Sequence, residues 1–291
     1  MRSASIVSLL AAGVSAGPIV PKPYVDLTPI VTMPALNLGT CCGSKPDVGL
    51  KSWLASGGVG IDTAAGYGTQ PNISIGLEKT ARSDVFILSK IDPNPAMCTG
   101  GAAAAIAAVK ANNAELKTDY TDITLIHWPC NQKGDGKLET TLAQNQGLWD
   151  GLIQAKQMGL VRSIGVSDFN VTHLAALKGE KPVLHQHEMS IKNWDAATLD
   201  YSLDNNIWYE AFGVARGCPF TDPTVLAIGK AHGVGAAQVC IRWTLQRGAI
   251  AAIGTGANPT TVDQYTQEDL DVWDFELTDE EMTTLNAMGN K

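Results

Sequence analysis

The chain has 291 residues, of which 45% are hydrophobic and 17% charged, and its formal net charge is −8 with a pI of about 5.1. This length and hydrophobic content suit one large domain with a buried core. Because the balance is acidic and no lysine or arginine run stands out, nucleic acid and anionic membrane surfaces are excluded as expected partners, and a small molecule is predicted instead.

The first 22 residues form a separate, signal-like segment. Arg2 precedes an apolar stretch from Ile6 to Val14, and small residues lead to a predicted cleavage site after Ala16. This pattern predicts entry into the secretory pathway; the alternative is a disordered N-terminal tail. The segment is too short to span a membrane, and no other stretch of the sequence is hydrophobic enough.

From Tyr24 onward, short β-branched runs alternate with longer helical patterns. Several runs are almost continuously apolar, as expected for parallel strands covered on both faces. The predicted strands are 35–40, 59–64, 85–90, 123–128, 161–167, 183–189, 207–213 and 251–256. The predicted helices are 47–56, 99–117, 140–159, 195–206, 224–233, 236–248, 258–270 and 277–289. Gly159, Asp195 and the Thr278/Glu281 pair supply signals for helix ends.

Eight strand–helix alternations without a linker favour a fold of the α/β class, a single (β/α)8 TIM barrel over residues 23–291. A doubly wound open sheet is disfavoured because the first strand runs into LNLGTCCG, from Leu36 to Gly43, and not into GxGxxG. The preceding residues, YVDLTPIVTMPAL, predict a hairpin that plugs the bottom of the barrel.

The cysteines and histidines give no sign of a metal site. The six cysteines are even in number but scattered, without a CxxC pair, so the sequence gives little support for a disulfide framework or a zinc site. His185 and His187 flank Gln186, and strand alternation directs both away from the face that Gln186 uses. We interpret both histidines as structural residues, and no metal is predicted.

In a TIM barrel the functional groups lie at the carboxyl ends of the strands. The second predicted strand ends at Asp62 and is followed by Tyr67, the third ends at Lys90, and the fourth ends at His127 and Trp128. Because these strands are neighbours, their side chains are predicted to meet at one mouth of the barrel.

This set of side chains can polarise and protonate a carbonyl group. A tyrosine is a poor acid at neutral pH, with an ordinary pKa of about 10, and a nearby ammonium is expected to lower that pKa. Asp62 would orient Lys90, Lys90 would assist Tyr67, and His127 would hydrogen-bond the substrate oxygen. Since the set contains no obvious nucleophile, the electrons are predicted to come from a reduced nicotinamide.

The order of the fragments identifies a family resemblance. The chain resembles the aldo-keto reductases over essentially its whole length after residue 24, through MPALNLGT, GIDTAAGYG, LSK, IHWP, GLVRSIGVSDFN, the Gln186/Glu188 pair, AAQVCIRWTLQRG and WDFELTDEEM. The resemblance implies a barrel that reduces small aldehydes and ketones to alcohols with NADPH. It also implies a monomer or weak homo-oligomer and, as the family default, a cytoplasmic location.

The resemblance assigns roles residue by residue. The implied catalytic tetrad is Asp62, Tyr67, Lys90 and His127, with Tyr67 as the proton donor, and Trp128 joins Tyr67 and His127 around the substrate. The implied cofactor-binding residues are Gly39, Thr40, Asp62, Ser167, Asp168, Gln186, Phe212, Gly213, Gly254, Thr255, Gly256, Thr261, Gln264 and Tyr265. Among these, Ser167, Asp168 and Gln186 would hold the nicotinamide carboxamide, and Phe212 would stack on the ring.

The chain departs from the family pattern at several of these positions. Asp168 stands where the family usually has asparagine, and Phe212 stands where it usually has tyrosine. The larger departure begins at Ile253, where Ile-Gly-Thr-Gly replaces the usual Ile-Pro-Lys-Ser. The expected arginine falls at Thr261, and the adenine-binding Glu-Asn pair falls at Gln264 and Tyr265.

These departures bear on the choice of cofactor. The missing cations normally neutralise the 2′-phosphate of NADPH, whereas Asp263, Glu268 and Asp269 would repel it. The resemblance implies NADP(H), and NAD(H) is the alternative. A phosphate would need a basic group from elsewhere, for which Arg216 is the candidate.

Two other functions stay open at the level of sequence. Lys90 on a barrel strand could form a Schiff base in an aldolase. The altered segment after Ile253 also fits a non-catalytic cofactor-binding barrel that has lost tight cofactor binding.

Overall fold

The computed structural model describes residues 23–42, 45–131, 137–256 and 258–289. The strands are β1 (Tyr24–Thr28), β2 (Val31–Pro34), β3 (Leu36–Gly39), β4 (Gly60–Asp62), β5 (Phe86–Ile91), β6 (Thr121–Ile126), β7 (Val161–Ser167), β8 (Leu184–Ser190), β9 (Asn193–Trp194), β10 (Trp208–Phe212) and β11 (Ala249–Ile253). The helices are α1 (Pro46–Ala55), α2 (Gln70–Gly76), α3 (Pro95–Glu115), α4 (Leu138–Gln157), α5 (Val171–Ala176), α6 (Ala196–Asp204), α7 (Pro223–His232), α8 (Ala236–Gln246), α9 (Val262–Leu270) and α10 (Asp279–Asn286).

Eight of these strands close into a parallel barrel. The ring runs from β3 through β4, β5, β6, β7 and β8 to β10 and β11, and β11 then pairs with β3. Helices follow the strands, so the apolar strand residues are covered on both faces and β5, β6 and β11 are buried throughout. The predicted (β/α)8 barrel is confirmed.

A hairpin closes the end of the barrel at which the strands begin. β1 and β2 pair antiparallel, and Val25, Val31 and Met33 on their inner face belong to the core. Trp208, the first residue of β10, donates from Nε1 to the carbonyl oxygen of Asp26 at 3.1 Å. Because this contact lies at the amino end of a barrel strand, the predicted plugging hairpin is confirmed.

The element bounds differ from the predicted ones where they affect the site. β6 runs from Thr121 to Ile126, two residues earlier than predicted at each end, so His127 and Trp128 lie in the loop that follows it. β11 ends at Ile253, so the segment 254–256 is also a loop. The sequence pattern missed α2 and α5, because helices of 7 and 6 residues are too short to show a helical period.

Disulfides are present, although the sequence pattern gave little support for them. All six cysteines are paired, as Cys41–Cys42, Cys98–Cys130 and Cys218–Cys240. The second pair joins α3 to the loop after β6, and the third joins the loop after β10 to α8. The partners of these two pairs are 32 and 22 residues apart in sequence, which matches no motif. They meet only because a helix packs against a loop.

Across the described ranges, no cluster of His, Cys, Asp or Glu could hold a metal ion.

The predicted signal segment, residues 1–22, lies outside the described residues. Within the described part of the chain, no single helix is long and apolar enough to span a membrane. Only α7 and α8 taken together meet that criterion, by length and composition, as a pair bent by 87°.

Candidate active site

A cavity of about 720 Å3 opens at the carboxyl ends of the barrel strands. Most of the predicted site residues line it: Gly39, Asp62, Tyr67, His127, Trp128, Ser167, Asp168, Gln186, Phe212, Gly213, Gly254 and Gly256. Further lining residues include Cys41, Cys42, Val214, Ala215 and Arg216. The cavity therefore gathers residues from positions 39 to 256 at one end of the barrel, as the strand-end argument predicts.

Lys90 lies directly behind the cavity wall and is fully buried. Its Nζ donates to Asp62 Oδ1 at 2.6 Å, to Tyr67 Oη at 3.2 Å and to the carbonyl oxygen of Thr63 at 3.2 Å. The pairing arises because Asp62 ends β4 and Lys90 stands near the end of the adjacent strand β5. An ammonium bound in this way is held in one place against the phenol.

The electrostatics of this group differ from the expectation in one respect. Burial by itself would lower the pKa of Lys90, but Asp62 and Tyr67 raise that pKa above its ordinary value overall. Burial raises the pKa of Tyr67 as well, and although Lys90 acts to lower it, the net change is upward. The expected net lowering of the Tyr67 pKa is therefore wrong. The phenol is held protonated at neutral pH, beside a fixed positive charge.

A short turn brings Tyr67 back over the mouth of the barrel. Residues Ala65–Tyr67 form one turn of 3-10 helix, and Gly68 ends it with a φ of 66°, in the left-handed region that favours glycine. A Cβ on Gly66 would overlap Oδ2 of Asp92, so a larger residue there would displace the Asp92 side chain. The GYG pattern thus has a conformational reason at Gly68 and a steric one at Gly66.

His127 lies between Tyr67 and a carboxylate that the sequence analysis did not identify. Its Nε2 is 3.4 Å from Tyr67 Oη, and its Nδ1 is 2.5 Å from Oδ1 of Asp92. The ring of Trp128 packs against it with centroids 4.3 Å apart, while Trp128 Nε1 donates to the carbonyl oxygen of Pro93. The signal that could have identified Asp92 is its position, because it is a charged residue only two positions after Lys90, at the carboxyl end of β5.

The predicted carboxamide-binding residues also meet in the cavity. Ser167 ends β7, and its buried Oγ has no hydrogen-bond partner in the described part of the chain. Asp168 follows with a φ of 56°, and burial raises the pKa of its carboxyl group, although His187 and His127 oppose the change. The side-chain amide of Gln186 donates to Asp62 Oδ2 and to Glu210 Oε2.

Glu210 is a second buried carboxyl group that the sequence analysis missed. It is fully buried in β10, and Asn37 Nδ2 donates to its Oε1 at 3.0 Å. Burial, reinforced by the negative charge of Asp62, raises the pKa of Glu210 to about 8. The signal was a glutamate in the middle of the apolar strand WYEAF. Because its proton is retained at neutral pH, the floor of the cavity carries less negative charge than its carboxyl groups indicate.

The remaining predicted site residues do not line the cavity. Thr40 is buried, and its Oγ1 donates to the carbonyl oxygen of Asp62 at 2.9 Å. Thr255 is buried, and Thr261 stands at the amino end of α9. On α9, Gln264 donates to Glu268, and Tyr265 is 46% exposed. The structure thus brings together the residues predicted to form the tetrad and to hold the nicotinamide, whereas Gln264 and Tyr265 are exposed on α9.

Comparison with known proteins gives a consistent result. The model of the Aldo/keto reductase family matches residues 49–214. An aldo-keto reductase of Mycolicibacterium smegmatis is 33% identical over 91% of this chain and 90% of its own length, and glyoxal reductase of Bacillus subtilis is 31% identical over 92% and 93%.

Solved structures show the same likeness. An aldo/keto reductase from Brucella melitensis superposes with a TM-score of 0.79 at 26% identity, over 91% of this chain and 99% of that one. A Bombyx mori aldo-keto reductase in complex with NADP gives a TM-score of 0.78 at 26% identity, over 92% of each chain.

The barrel, the lysine-supported tyrosine at its mouth and the serine that has no partner among the described residues fit an oxidoreductase that acts on small carbonyl compounds. The chain belongs to the aldo-keto reductase family, and it is an NAD(P)H-dependent carbonyl reductase by class.

Proposed function

We propose that Tyr67 is the proton donor for the reduction of small aldehydes and ketones in this cavity. The observation that carries the proposal is the position of Lys90 Nζ, which contacts Asp62 and Tyr67 Oη at once from a fully buried site. The charge of Lys90 stabilises the phenolate that forms when Tyr67 gives its proton to the substrate oxygen. His127, whose Nε2 lies 3.4 Å from Tyr67 Oη, is placed to hydrogen-bond the same substrate oxygen.

The residues beside the tetrad fit a nicotinamide. The buried, unpartnered Oγ of Ser167 offers a hydrogen bond to a carboxamide, and the partly buried ring of Phe212 lies on the cavity wall where a planar ring can stack. Asp62 and Glu210 both receive hydrogen bonds from the amide N–H groups of Gln186, which leaves Oε1 of Gln186 for a further donor. The nicotinamide, when bound, supplies the hydride.

The choice between the two nicotinamide cofactors follows from the charges near α9. Silkworm relatives have been solved with NADPH and with NADP. In this chain Thr255 and Thr261 replace the expected cations, and Asp263 places a negative charge in the first turn of α9. Arg216, the cation on the cavity wall, is paired with Glu188 at 3.0 Å. We therefore propose that the enzyme binds NAD(H) and NADP(H) with similar affinities.

Fluorescence titration of the protein with NADPH and NADH separately tests both parts of this proposal. Similar dissociation constants are expected, and Thr261→Arg should tighten NADPH binding about tenfold while leaving NADH unchanged, because one ion pair to the phosphate is gained. Binding of neither cofactor would overturn the reductase assignment and favour the non-catalytic barrel.

The aldolase alternative conflicts with the environment of Lys90. A Schiff-base lysine must reach the substrate as a neutral amine, but Lys90 is fully buried and its pKa is raised. Borohydride trapping with an aldehyde should leave Lys90 unlabelled, and labelling at that residue would restore the aldolase.

We propose in addition that the protein enters the secretory pathway, with residues 1–16 removed. The pairing of all six cysteines supports this location, because structural disulfides persist mainly in oxidising compartments. A mass measurement of the mature protein expressed in its own host tests the cleavage.

For its assembly, we propose a monomer or weak homo-oligomer that acts without nucleic acid or membrane. Sedimentation analysis would test the oligomeric state.

A further inference from the structure

Asp92 has a direct contact with the tetrad that the proposed function leaves unused. It follows β5 immediately, and its Oδ1 lies 2.5 Å from Nδ1 of His127, while Nε2 on the other side of the ring faces Tyr67 Oη. The side chains of His127 and Asp92 are 13% and 18% exposed, so water competes little for this bond. The ring is thus clamped between a carboxylate and the phenol.

The carboxylate decides which ring nitrogen carries the proton. An ionised carboxylate can only accept, so Nδ1 of His127 must be the donor in this bond. In the neutral ring, Nε2 then has a lone pair and accepts a hydrogen bond, from Tyr67 or from a substrate hydroxyl. To donate to a carbonyl oxygen, Nε2 needs a second proton on the ring, and the negative charge of Asp92 balances the charge that this proton adds.

We propose that Asp92 is a positioning residue that sets the tautomer of His127 and so decides whether Nε2 of the neutral ring accepts a hydrogen bond from the substrate or donates one to it. The inference rests on the proposed function in one respect, the contact of His127 Nε2 with the substrate oxygen. The doubly protonated ring donates to an aldehyde or ketone, and the neutral ring accepts from the hydroxyl of the alcohol. The structure thereby assigns to Asp92 a part in the directional preference of the enzyme.

Asp168 is a second acidic group that interacts electrostatically with His127. Within the described ranges, Asp168 directly follows β7, and Tyr67 Oη faces Nε2 of the ring from the loop after β4. Asp62 and Lys90 form an ion pair, and the pKa of Asp168 is raised by burial. Among the described residues, Asp92 is the carboxylate that hydrogen-bonds Nδ1 of the ring.

The substitution Asp92→Asn separates this role from simple packing support. The asparagine amide can donate to an unprotonated Nδ1, which makes a neutral ring with the proton on Nε2 accessible. At a fixed pH, Asp92→Asn should therefore lower KM for an aldehyde and raise KM for the alcohol, each about tenfold, the effect of one hydrogen bond gained or lost at Nε2. Asp92→Glu, which keeps the carboxylate, should retain the wild-type values.

The tautomer itself can be observed without turnover. Histidine-labelled 15N NMR of the protein without added cofactor resolves Nδ1–H from Nε2–H rings; the chain has 5 histidines, and His127→Gln assigns the signal. We expect the Nδ1–H form of the neutral ring in the wild type and a shift toward Nε2–H in Asp92→Asn. Asp204→Asn, on the exposed surface of α6, is the matched control and should resemble the wild type.

The outcomes separate the two proposals. If the wild type and Asp92→Asn show the same tautomer and the same KM for the aldehyde, and thermal unfolding shows that both proteins are folded, the role of Asp92 is overturned. If the tautomer differs between the wild type and Asp92→Asn as expected, but the wild type reduces no aldehyde with either cofactor, the positioning of the ring by Asp92 is supported and the proposed function is overturned.

Discussion

Gln186 Nε2 lies 2.7 Å from Oε2 of Glu210, deep under the active-site cavity. The same amide group also donates to Asp62, so one glutamine joins a buried acid to the carboxylate that holds Lys90. Because both acceptors are carboxyl groups, they fix the orientation of the amide, and the tetrad rests on a second layer of polar groups.

Glu210 gives the stability of the enzyme a pH dependence. Its pKa in the folded protein is about 8, above the ordinary value of 4.5, so the folded state binds more protons between these pH values. Its contribution to stability is therefore full below about pH 4.5 and is lost as the pH rises through 8. Glu210→Gln cannot ionise and should flatten this decline, on the order of 3 kcal/mol between pH 5 and pH 9.

Urea unfolding of both proteins at several pH values measures this difference. Parallel stability curves for the wild type and Glu210→Gln would show that Glu210 is ionised in the folded protein at neutral pH.

Tyr67→Phe removes the proposed proton donor without changing the shape of the ring. We expect kcat to fall by 10² to 10⁴-fold, the usual range for a general acid, with cofactor affinity unchanged. Steady-state kinetics with fluorescence titration measures both quantities, and Tyr24→Phe in the exposed hairpin is the control. Turnover that survives in Tyr67→Phe would exclude the tyrosine as the donor.

Lys90→Met should affect stability as well as activity. Asp62 is 3% exposed, and without Lys90 its charge stays buried and unpaired. Removing one member of a buried ion pair typically costs about 3–5 kcal/mol, so a decrease of that size in the free energy of unfolding is expected. Lys110→Met, at an exposed position of α3, should leave stability within about 0.5 kcal/mol of the wild type. A similar small effect at Lys90 would show that the pair is solvated.

The three disulfides should differ in their reaction with a soluble reductant. Cys42 is exposed and Cys41 partly exposed, whereas Cys98, Cys130, Cys218 and Cys240 are each 7% exposed or less. Mild phosphine reduction of the folded protein followed by alkylation should therefore label Cys41 and Cys42 first, as peptide mass analysis will show. The double variant Cys41→Ser/Cys42→Ser should take up no label under the same conditions, and early labelling of any other cysteine would contradict the expectation.

The sequence predicted the barrel and the positions of its polar strand ends well. Asp62 and Lys90 each end an apolar run, and the carboxyl ends of parallel strands necessarily converge, so their meeting follows from local pattern and one topological rule. Even the shift of β6 by two residues left His127 just beyond the end of its strand. Short helices such as α2 were not predicted, because one or two turns are too short to show a helical period in the sequence.

Residues whose role depends on a partner elsewhere in the chain were not predicted. Glu210 acquires its raised pKa from burial beside Asp62, 148 positions earlier in the numbering, and the cysteine pairs arise only where a helix packs on a loop. The net rise in the pKa of Tyr67 likewise reflects burial, which outweighs the adjacent ammonium.

The sequence by itself predicted the fold and the polar residues at the strand ends, because hydrophobic period and strand-end polarity are local properties of the chain, and the family followed from its resemblance to the aldo-keto reductases. Only the tertiary structure decided the protonation and orientation of the site. Asp92 meets His127 through the closure of β5 against β6, and desolvation depends on everything that packs around a group. The protonation and orientation of a site residue depend on all the groups that surround it, and these groups come from distant parts of the sequence.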